Sequence, residues 1–506
     1  MSDYNLYRFF EPSFEAFGHK EVLCTRDGKG YSYSAIEQRS AQLARALSAL
    51  DIQAGDRVTV QVRKSPEALC LYLACIRSGL VYHPLNMAYT PSELAYFLAD
   101  AEPSLVVCDP ERLADFASIT CTAMIYTMDA HGSGELSDLA NHQDSTFGTL
   151  PRAANDTAAL LYSSGTTGQP KGIMLTHGNL TSNARTLIKY WGFNEQDRLL
   201  HALPVFHVHG LFVATGCVLG SGASMRWLSR YRAEEVCRFL PECTVMMGVP
   251  TYYTRLLDQS LLDRNLTSNM RLFISGSAPL LTETFRAFEA RTGHRILERY
   301  GMTETNMNTS NPLVGARKPG TVGPALPGIE VRIVDDEGST LPPGAIGNLQ
   351  VRGPNVFKGY WQRPEKTAED FTDDGFFNTG DKAEIDSEGY VSIVGRAKDL
   401  VISGGLNVYP REVELFIDKL PGVEESAVIG LPHDDLGETV VAVIVTQPAA
   451  EQNAQHIIEA CREALANFKV PKQIIFVPEL PRNTMGKVQK NALRKHYARQ
   501  SSKQSG

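Results

Sequence analysis

The sequence predicts an α/β protein in which a large N-terminal domain is followed by a small α+β domain. In the first 150 residues, helical segments alternate with short β-branched runs, which is typical of parallel α/β layers. From about residue 320, Gly and Pro become dense between short strands, which predicts a small β-rich subdomain over about 320–395. A compact α+β pattern follows VGRAKD, so the predicted domains are 1–396 and 397–506.

The elements behind this prediction follow one another along the chain. SYSAIEQRSAQLARALSAL repeats apolar residues at helical spacing, and Ser34 and Glu37 are spaced as a capping box at its start. Short apolar runs predict strands at RVTVQV, LVVCD, TVMMGVP and LFISGSAP, and then at VRIVD and LQVRG in the Gly/Pro-rich stretch. Near the end, a helix starting at about Pro410 precedes the predicted strands ESAVIGLP, TVVAVIVT and QIIFVPEL.

Composition narrows the class of protein. The 506 residues carry a net charge of −8, which argues against general binding to nucleic acid or to a membrane surface. The sequence has no run of about 18 apolar residues, so it does not predict a membrane-spanning helix. Its N-terminus does not resemble a secretory signal. Nine irregularly spaced cysteines without a CxxC pair favour reduced thiols in a cytoplasmic protein. The sequence does not indicate an oligomeric state.

The clearest chemical signal is SSGTTGQPKG at 163–172, directly after the apolar run AALLY. Its glycines permit a sharp turn whose backbone N–H groups can bind an anion, with hydroxyls and Lys171 adding to the neutralisation. The loop is not a Walker A motif, because Lys171 follows proline and precedes glycine. A flexible Ser/Gly linker is the alternative, but the loop stands between a predicted strand and the helix-like HGNLTSNARTL.

This loop resembles the signature of adenylate-forming enzymes, the superfamily of acyl-CoA synthetases, luciferases and peptide-synthetase adenylation domains. Five further motifs of that superfamily follow in order: SGSAPL at 275–280, ERYGMTET at 298–305, NTGD at 378–381, GRAKDLVISGGLNVYPREVE at 395–414 and PRNTMGKVQK at 481–490. The resemblance implies that a carboxylate attacks the α-phosphorus of ATP and that a thiol then displaces AMP. Its cofactors and co-substrates would be ATP, Mg²⁺ and coenzyme A.

The resemblance also implies roles for individual residues. The expected ATP/AMP-binding residues are Ser163, Ser164, Gly165, Thr166, Thr167, Gly168, Lys171, Ser277, Ala278, Pro279, Tyr300, Thr303, Asp381, Arg396 and Lys487. Thr303, Glu304 and Lys487 are the expected catalytic residues, and Glu304 with Thr167 would bind Mg²⁺. The small C-terminal domain would be mobile and pivot near Lys398, bringing Gly404 and Gly405 to the site where CoA arrives.

The predicted substrate depends on Arg299. Most acyl-CoA synthetases have a small residue before YGxTE, at a position that borders the acyl pocket, whereas this sequence has arginine. A buried guanidinium suits a second carboxylate, which it can hold in a bidentate pair. LPVFHVHGLFV lacks the acid that binds an amino-acid ammonium, so amino-acid activation is disfavoured. Arg299 could instead turn outward, or pair with Glu298 or another acid.

ERYGMTETNMNTSNP, HALPVFHVHGLF and MGVPTYYTRL resemble the malonyl-CoA synthetases, which are malonate and methylmalonate ligases. This resemblance implies that Arg299, His207 and Ser277 contact the substrate, with His209 structural. The alternatives are another short-chain or aryl acyl-CoA synthetase, a regulatory nucleotide-binding homologue and a luciferase-like oxygenase. The expected partners are therefore the small molecules malonate, ATP and CoA.

Overall fold

A computed structural model describes residues 3–119, 121–163, 170–396, 399–403, 406–433, 437–448, 453–465, 467–483 and 486–504. Two large sheets rich in parallel strands, each packed with helices, form the N-terminal part of the chain. A small antiparallel sheet follows, and a mostly antiparallel sheet with its own helices ends the chain. The predicted α/β class, with a large N-terminal domain of parallel sheets and a smaller C-terminal domain, is confirmed.

The helices begin at well-formed caps in several places. Thr90 and Thr176 each form a capping box, and the Ser32 side chain accepts a hydrogen bond from the Ala35 N–H. The predicted capping box of Ser34 and Glu37 is therefore wrong, because the helix already begins at Tyr33 with Ser32 as its cap. The helices are α1 Leu6–Ala16, α2 Tyr33–Ser48, α3 Pro66–Arg77, α4 Pro91–Ala101, α5 Leu113–Ala117, α6 Glu135–Asn141, α7 His177–Trp191, α8 Thr215–Ser221, α9 Ala233–Phe239, α10 Pro250–Leu257, α11 Thr282–Thr292, α12 Pro364–Asp370, α13 Pro410–Ile417, α14 Ala454–Ala464 and α15 Lys490–Gln504.

A strand forms at each apolar run that predicts one, and further strands form between them. They are β1 Glu21–Thr25, β2 Gly30–Ser32, β3 Arg57–Gln61, β4 Val81–Pro84, β5 Leu105–Cys108, β6 Met124–Thr127, β7 Thr157–Ser163, β8 Lys171–Thr176, β9 Arg198–His201, β10 Ser224–Trp227, β11 Val245–Gly248, β12 Leu272–Ser275, β13 Leu297–Met302, β14 Asn306–Ser310, β15 Glu330–Val334, β16 Ile346–Arg352, β17 Gly359–Tyr360, β18 Phe377–Ile385, β19 Val391–Arg396, β20 Val401–Ser403, β21 Leu406–Val408, β22 Val423–His433, β23 Gly437–Thr446 and β24 Gln473–Phe476.

Two sheets position the site. The seven-stranded sheet has the order β17-β8-β7-β4-β3-β5-β6, and the eight-stranded sheet has the order β14-β13-β12-β11-β9-β10-β1-β2. Strands β9 to β13 run parallel where they pair, so their carboxyl ends meet at one edge. Loops at that edge of a parallel sheet are where ligands bind in α/β proteins. One hydrophobic core packs between the two sheets and their helices.

The Gly/Pro-rich stretch forms the antiparallel sheet β15-β16-β18-β19, as the turn-separated strands predict. Its short strand β17 leaves this group and pairs with β8 of the seven-stranded sheet. The stretch is therefore joined by main-chain hydrogen bonds to the strand that begins at Lys171. Among the described residues, no helix is both long and apolar enough to cross a membrane.

The C-terminal sheet is built on the long hairpin of β22 and β23. One of its faces packs on α13 and α14, where Val413, Ile417 and Cys461 are buried. Its other face packs on Leu493 of α15 and on Leu480, which lies between β24 and α15. Both faces of the sheet are therefore covered by apolar residues of this domain.

Candidate active site

The predicted phosphate loop connects two antiparallel strands. Ser163 ends β7 and pairs directly with Lys171, the first residue of β8. The sequence predicts a strand before the loop and a helix after it, but β8 comes first and α7 follows, because β8 pairs with both β7 and β17. Five predicted loop residues lie outside the described residues, as does the side chain of Ser163; they are Ser164, Gly165, Thr166, Thr167 and Gly168.

Lys171 and Glu304 meet at the ring of Tyr360. The Lys171 ammonium is 4.9 Å from the centre of that ring. Burial raises the pKa of the Tyr360 hydroxyl, and the nearby Glu304 carboxylate raises it further. The Glu304 carbonyl accepts a hydrogen bond from the Phe357 N–H at 2.7 Å, which fixes the turn between β13 and β14. A buried carboxylate thus stands beside the root of the loop, with Thr303 half-buried next to it.

Tyr300 and Asp381 are joined by a hydrogen bond. The Tyr300 hydroxyl donates to the Asp381 carboxylate, which is buried on β18. Asp381 also pairs across the strands with Arg396 on β19, whose side chain lies outside the described residues. A carboxylate has about four acceptor sites, so it can accept more than one hydrogen bond. The structure therefore brings together three residues that the sequence predicts at the nucleotide.

The SGSAP turn lies at the carboxyl end of β12. Ser277 has φ of 71°, a left-handed conformation that costs a non-glycine residue roughly 1–2 kcal/mol. Backbone strain of this kind is found most often at functional sites. The Ser277 hydroxyl lies 3.3 Å from Nδ1 of His209, and Ala278 and Pro279 continue toward the surface.

Arg299 is the most informative side chain of the site. It is only 3% exposed, and within the described residues its Nε and Nη2 atoms have no hydrogen-bond partner. The guanidinium packs directly on Gly276, where a Cβ atom would lie 2.4 Å from Cζ of Arg299. A buried cation with unsatisfied N–H groups is costly unless a ligand completes its hydrogen bonds.

The histidines beside Arg299 carry no charge at neutral pH. Burial and the Arg299 cation together lower the pKa of His207 to about 4 and shift the pKa of His209 downward as well. Burial lowers the pKa of Arg299 to about 9, which leaves the guanidinium charged at pH 7. Nε2 of His209 is buried and, among the described residues, lacks a partner. Arg299 therefore stands as a cation beside neutral polar groups, an arrangement suited to a small anion. We call Arg299 and its neighbours Tyr253, Gly276, Ser277, His207 and His209 the acyl chamber.

Glu298 does not neutralise Arg299. Successive residues of a strand point to opposite faces, so the two side chains leave β13 in opposite directions. The Glu298 carboxylate accepts a weak hydrogen bond from the Gly320 N–H at 3.4 Å and faces Arg411 of the C-terminal domain. The alternative in which Arg299 pairs with Glu298 is therefore wrong.

The buried Glu298 carboxyl predicts how stability depends on pH. Burial raises its pKa from 4.5 to about 8, so the folded protein retains a proton that the unfolded chain loses. The free energy of unfolding is then expected to fall as pH rises from about 4.5 to 8. Denaturant unfolding of Glu298→Gln at pH 5, 6.5 and 8.5 is expected to show a smaller fall than the wild type. Parallel curves for the two proteins would contradict this assignment.

Lys487 lies on a short hairpin of the C-terminal domain. Its N–H donates to the Asn483 side chain, and the Asn483 N–H donates back to its carbonyl, both at 2.9 Å. Arg482 donates to the Gly486 carbonyl at 2.7 Å. A Cβ on Gly486 would lie 2.9 Å from the hydroxyl of Thr251, on the first turn of α10. The hairpin thus contacts the same helix whose Tyr253 lies near Arg299.

Three predicted positions and one predicted metal site need separate comment. Lys398, Gly404 and Gly405 lie outside the described residues. Among the residues that the structure describes, no group of three or more His, Cys, Asp or Glu side chains is arranged to hold a metal ion. Glu304 is a single buried carboxylate, which matches the way Mg²⁺ binds one or two carboxylates together with substrate phosphates.

Comparison with known proteins identifies the family. A family model described as AMP-binding enzyme matches residues 10–361, and one described as AMP-binding enzyme C-terminal domain matches 412–487. The chain belongs to the AMP-binding enzyme family. Its ATP-bound solved relative MatB, from Rhodopseudomonas palustris, is 52% identical with a TM-score of 0.96, covering 98% of this chain and 99% of that one.

Curated relatives of this AMP-binding enzyme include two kinds of CoA ligase. Malonate–CoA ligase of Arabidopsis thaliana is 33% identical, over 96% of this chain and 88% of that protein. Feruloyl-CoA synthase of an Amycolatopsis species is 34% identical, over 93% of this chain and 94% of that protein. The comparisons therefore show the family, whereas the names of these relatives refer to different acid substrates.

Sequence reasoning missed three residues of this chamber in the AMP-binding enzyme. His209 was expected to be structural, yet it contacts Ser277 and lies near Arg299. The Arg299 guanidinium packs directly on Gly276, and Tyr253 lies near the same guanidinium. The HxH spacing was the available signal for His209, whereas Gly276 and Tyr253 lie within the motifs SGSAPL and MGVPTYYTRL but nothing in those motifs marks a contact with Arg299.

Proposed function

We propose that this AMP-binding enzyme is an ATP- and Mg²⁺-dependent malonate–CoA ligase, with methylmalonate as a possible second substrate. It forms malonyl-CoA, AMP and pyrophosphate through an acyl-adenylate. The observation that carries the proposal is the buried Arg299 guanidinium, whose Nε and Nη2 atoms have no hydrogen-bond partner within the described residues and which lies near the neutral His207 and His209. The relatives that are malonate–CoA ligases support the same acid.

One carboxylate of malonate pairs with Arg299, and the other, one carbon away, reacts with ATP. A bidentate pair supplies the hydrogen bonds that Nε and Nη2 lack within the described residues. The neutral His207 and the Ser277 hydroxyl add donors without adding a competing charge. A monocarboxylic acid would leave the buried guanidinium unpaired, which costs several kcal/mol.

The nucleotide binds between the SGSAP turn and β18. Tyr300 stacks on adenine beside Ser277, Ala278 and Pro279. Asp381 accepts the ribose hydroxyls, because an ionised carboxylate has acceptor capacity for both. Arg396, paired with Asp381 across the strands, supports the ribose or a phosphate.

The triphosphate binds the loop and the residues at its root. The loop, from Ser163 to Gly168 with Thr166 and Thr167, surrounds the β- and γ-phosphates, and Lys171 adds its charge. Thr303 contacts the α-phosphate. Glu304 and Thr167 would hold Mg²⁺, which neutralises phosphate charge when bound. The position of Glu304 beside Lys171 and Tyr360 supports this assignment.

In the first half-reaction, a carboxylate oxygen of malonate bonds to the α-phosphorus and pyrophosphate leaves. Lys487 contacts the carboxylate and the α-phosphate and stabilises the charge as the new bond forms. In the second, the CoA thiolate attacks the acyl carbon, and AMP leaves with the electron pair of the acyl–oxygen bond. The C-terminal domain, from residue 397 onward, turns about Lys398 between the two steps and brings Gly404 and Gly405 to the thiol.

We place the enzyme in the cytoplasm. All nine cysteines are unpaired thiols, and eight of them are buried, which fits a reducing compartment.

The test is CoA-dependent AMP release with acetate, butyrate, benzoate, ferulate, malonate, methylmalonate and succinate. Malonate is expected to give the highest kcat/KM. The feruloyl-CoA synthase relative makes an aryl acid the alternative, and a higher value with ferulate or benzoate would establish it. ATP-dependent light emission or oxygen uptake would instead indicate a luciferase-like oxygenase, and nucleotide binding without any AMP release would indicate a regulatory protein.

A further inference from the structure

A short π-helix, His209–Ala214, directly precedes α8. All six of its residues are buried. π-helices are rare, and short ones that interrupt or begin an α-helix occur most often at functional sites. This one begins at His209, a residue of the acyl chamber, and His207 lies two residues before it. The π-helix therefore connects the acyl chamber to α8.

The π-helix determines how the histidines are oriented relative to α8. In an α-helix a carbonyl accepts from the N–H four residues later, whereas in a π-helix it accepts from the N–H five residues later. The Gly210 carbonyl accepts from the Thr215 N–H, five residues along the chain. The extra residue rotates the preceding residues by about 100° relative to a continuous α-helix. The direction in which His209 leaves the helix therefore depends on this π-turn.

Two side chains also donate to the carbonyl that closes the π-turn. The Thr215 hydroxyl donates to the Gly210 carbonyl at 2.9 Å, and Nε2 of His201 lies 3.0 Å from the same oxygen. Because a carbonyl oxygen can only accept, Nε2 of His201 carries the proton and donates. Three donors thus converge on one carbonyl, where an ordinary helical carbonyl accepts a single main-chain bond.

His201 is itself held in place from its other side. It is the last residue of β9, and burial lowers its pKa well below the usual value, so the ring is neutral and has one N–H group. With the proton on Nε2, Nδ1 accepts from the amino group of Lys64 at 2.8 Å. The same amino group donates to the carbonyls of His201 and Leu203, both at 2.9 Å. The donor to the π-turn is therefore fixed to the carboxyl end of β9.

The π-turn packs closely on the segment that follows β9. A Cβ atom on Gly210 would lie only 2.0 Å from the Pro204 carbonyl oxygen, so the main chains touch at this point. The Leu211 N–H donates to the His207 carbonyl at 2.9 Å, which ties His207 to the same turn. A continuous path of buried contacts thus joins the end of β9 to the acyl chamber.

We infer that His201 and Thr215 are positioning residues for the acid substrate. They stabilise the π-turn through the Gly210 carbonyl and thereby keep His207 and His209 in the acyl chamber. Without the two side-chain donors, the segment would relax toward the commoner α-turn, which rotates both histidines away. The inference rests on the proposed function, because it requires that the acyl chamber binds the acid.

The test is the double variant His201→Phe/Thr215→Val, which removes both donors and keeps the ring and the branched shape. CoA-dependent AMP release is expected to show a KM for malonate about tenfold higher, with kcat and the KM for ATP unchanged. The double variant His201→Gln/Thr215→Ser keeps an N–H and an O–H donor, so it is expected to restore the KM for malonate.

Thr292→Val is a matched control. Thr292 is a buried threonine of α11, outside the acyl chamber, whose hydroxyl donates to the Phe288 carbonyl of its own helix at 2.7 Å. It is expected to leave the KM for malonate and the KM for ATP unchanged. Thermal unfolding reports whether each variant is folded. If the Phe/Val double variant does not fold, Thr215→Val alone is measured and is expected to raise the KM for malonate about threefold.

An unchanged KM for malonate in the folded variant would overturn the inference. Equal rises in the KM for malonate and for ATP would overturn it too, because they would indicate a general loss of structure. The series of acids on the wild type tests the proposed function separately. If the wild type prefers another acid, the same variants are measured with that acid. A rise confined to its KM would then support the inference, although the malonate proposal fails.

Discussion

Replacing Arg299 by glycine is expected to lower kcat/KM for malonate by about a thousandfold. The variant removes the one buried cation of the chamber, so the second carboxylate of malonate would be desolvated without a partner. Acetate and butyrate lose no such pair, and their activities are expected to stay the same or rise. CoA-dependent AMP release with the three acids measures the change in preference.

Two companion variants separate charge from shape. Arg299→Lys keeps the charge without the bidentate fork, so it is expected to retain part of the malonate preference. Gly276→Ala keeps Arg299 but introduces a Cβ only 2.4 Å from its Cζ, which must displace the guanidinium. We expect a higher KM for malonate and an unchanged KM for acetate. If Arg299→Gly retains malonate activity, the carboxylate pairing is wrong, whereas the family is unaffected.

Replacing Lys487 by alanine is expected to slow malonyl-adenylate formation at least a hundredfold. The Lys487 hairpin contacts Thr251 of α10, the helix whose Tyr253 lies near Arg299, and the proposed function assigns the Lys487 ammonium to the first half-reaction. The second half-reaction, started from synthetic malonyl-adenylate and CoA, is expected to proceed at nearly the wild-type rate. Pyrophosphate release measures the first step, and malonyl-CoA formation measures the second.

Lys495→Ala is a matched control, because Lys495 is an exposed lysine on α15 of the same domain. It should leave both half-reactions unchanged. Thr251→Ile fills the contact with Gly486 and is expected to impair only the first step. Equal losses in both steps of Lys487→Ala would show that the lysine acts on the fold of the domain and not on adenylate formation.

Much of the fold could be predicted because its strands are short, apolar and bounded by turns. LVVCD became β5, and LFISGSAP became β12 followed by the substrate turn. The antiparallel sheet was indicated by Gly and Pro between strands, and its pairing is confirmed at β15, β16, β18 and β19. Apolar runs and turn residues were sufficient to predict those strands whose formation depends mainly on their own sequence.

The errors occurred where distant residues decide the structure. The sequence pattern places the capping box at Ser34, but Ser32, the last residue of β2, caps the helix two residues earlier. Strand β8 was overlooked because its second neighbour, β17, comes from a segment nearly 200 residues later. The contact between Gly276 and Arg299 could not be predicted from the sequence, because it is the pairing of β12 with β13 that brings the two residues together.

The two apolar cores of the C-terminal sheet have a mechanical consequence. Both faces of the β22–β23 hairpin are covered by apolar residues of the C-terminal domain itself. A change in the orientation of this domain would therefore expose little apolar surface to water. The contacts that hold the C-terminal domain in its present orientation would be small or polar ones, such as the contact of Gly486 with Thr251 and that of Arg411 with Glu298. Polar and small contacts of this kind can break and form again at a modest free-energy cost. They would therefore permit a repeated change in the orientation of the C-terminal domain.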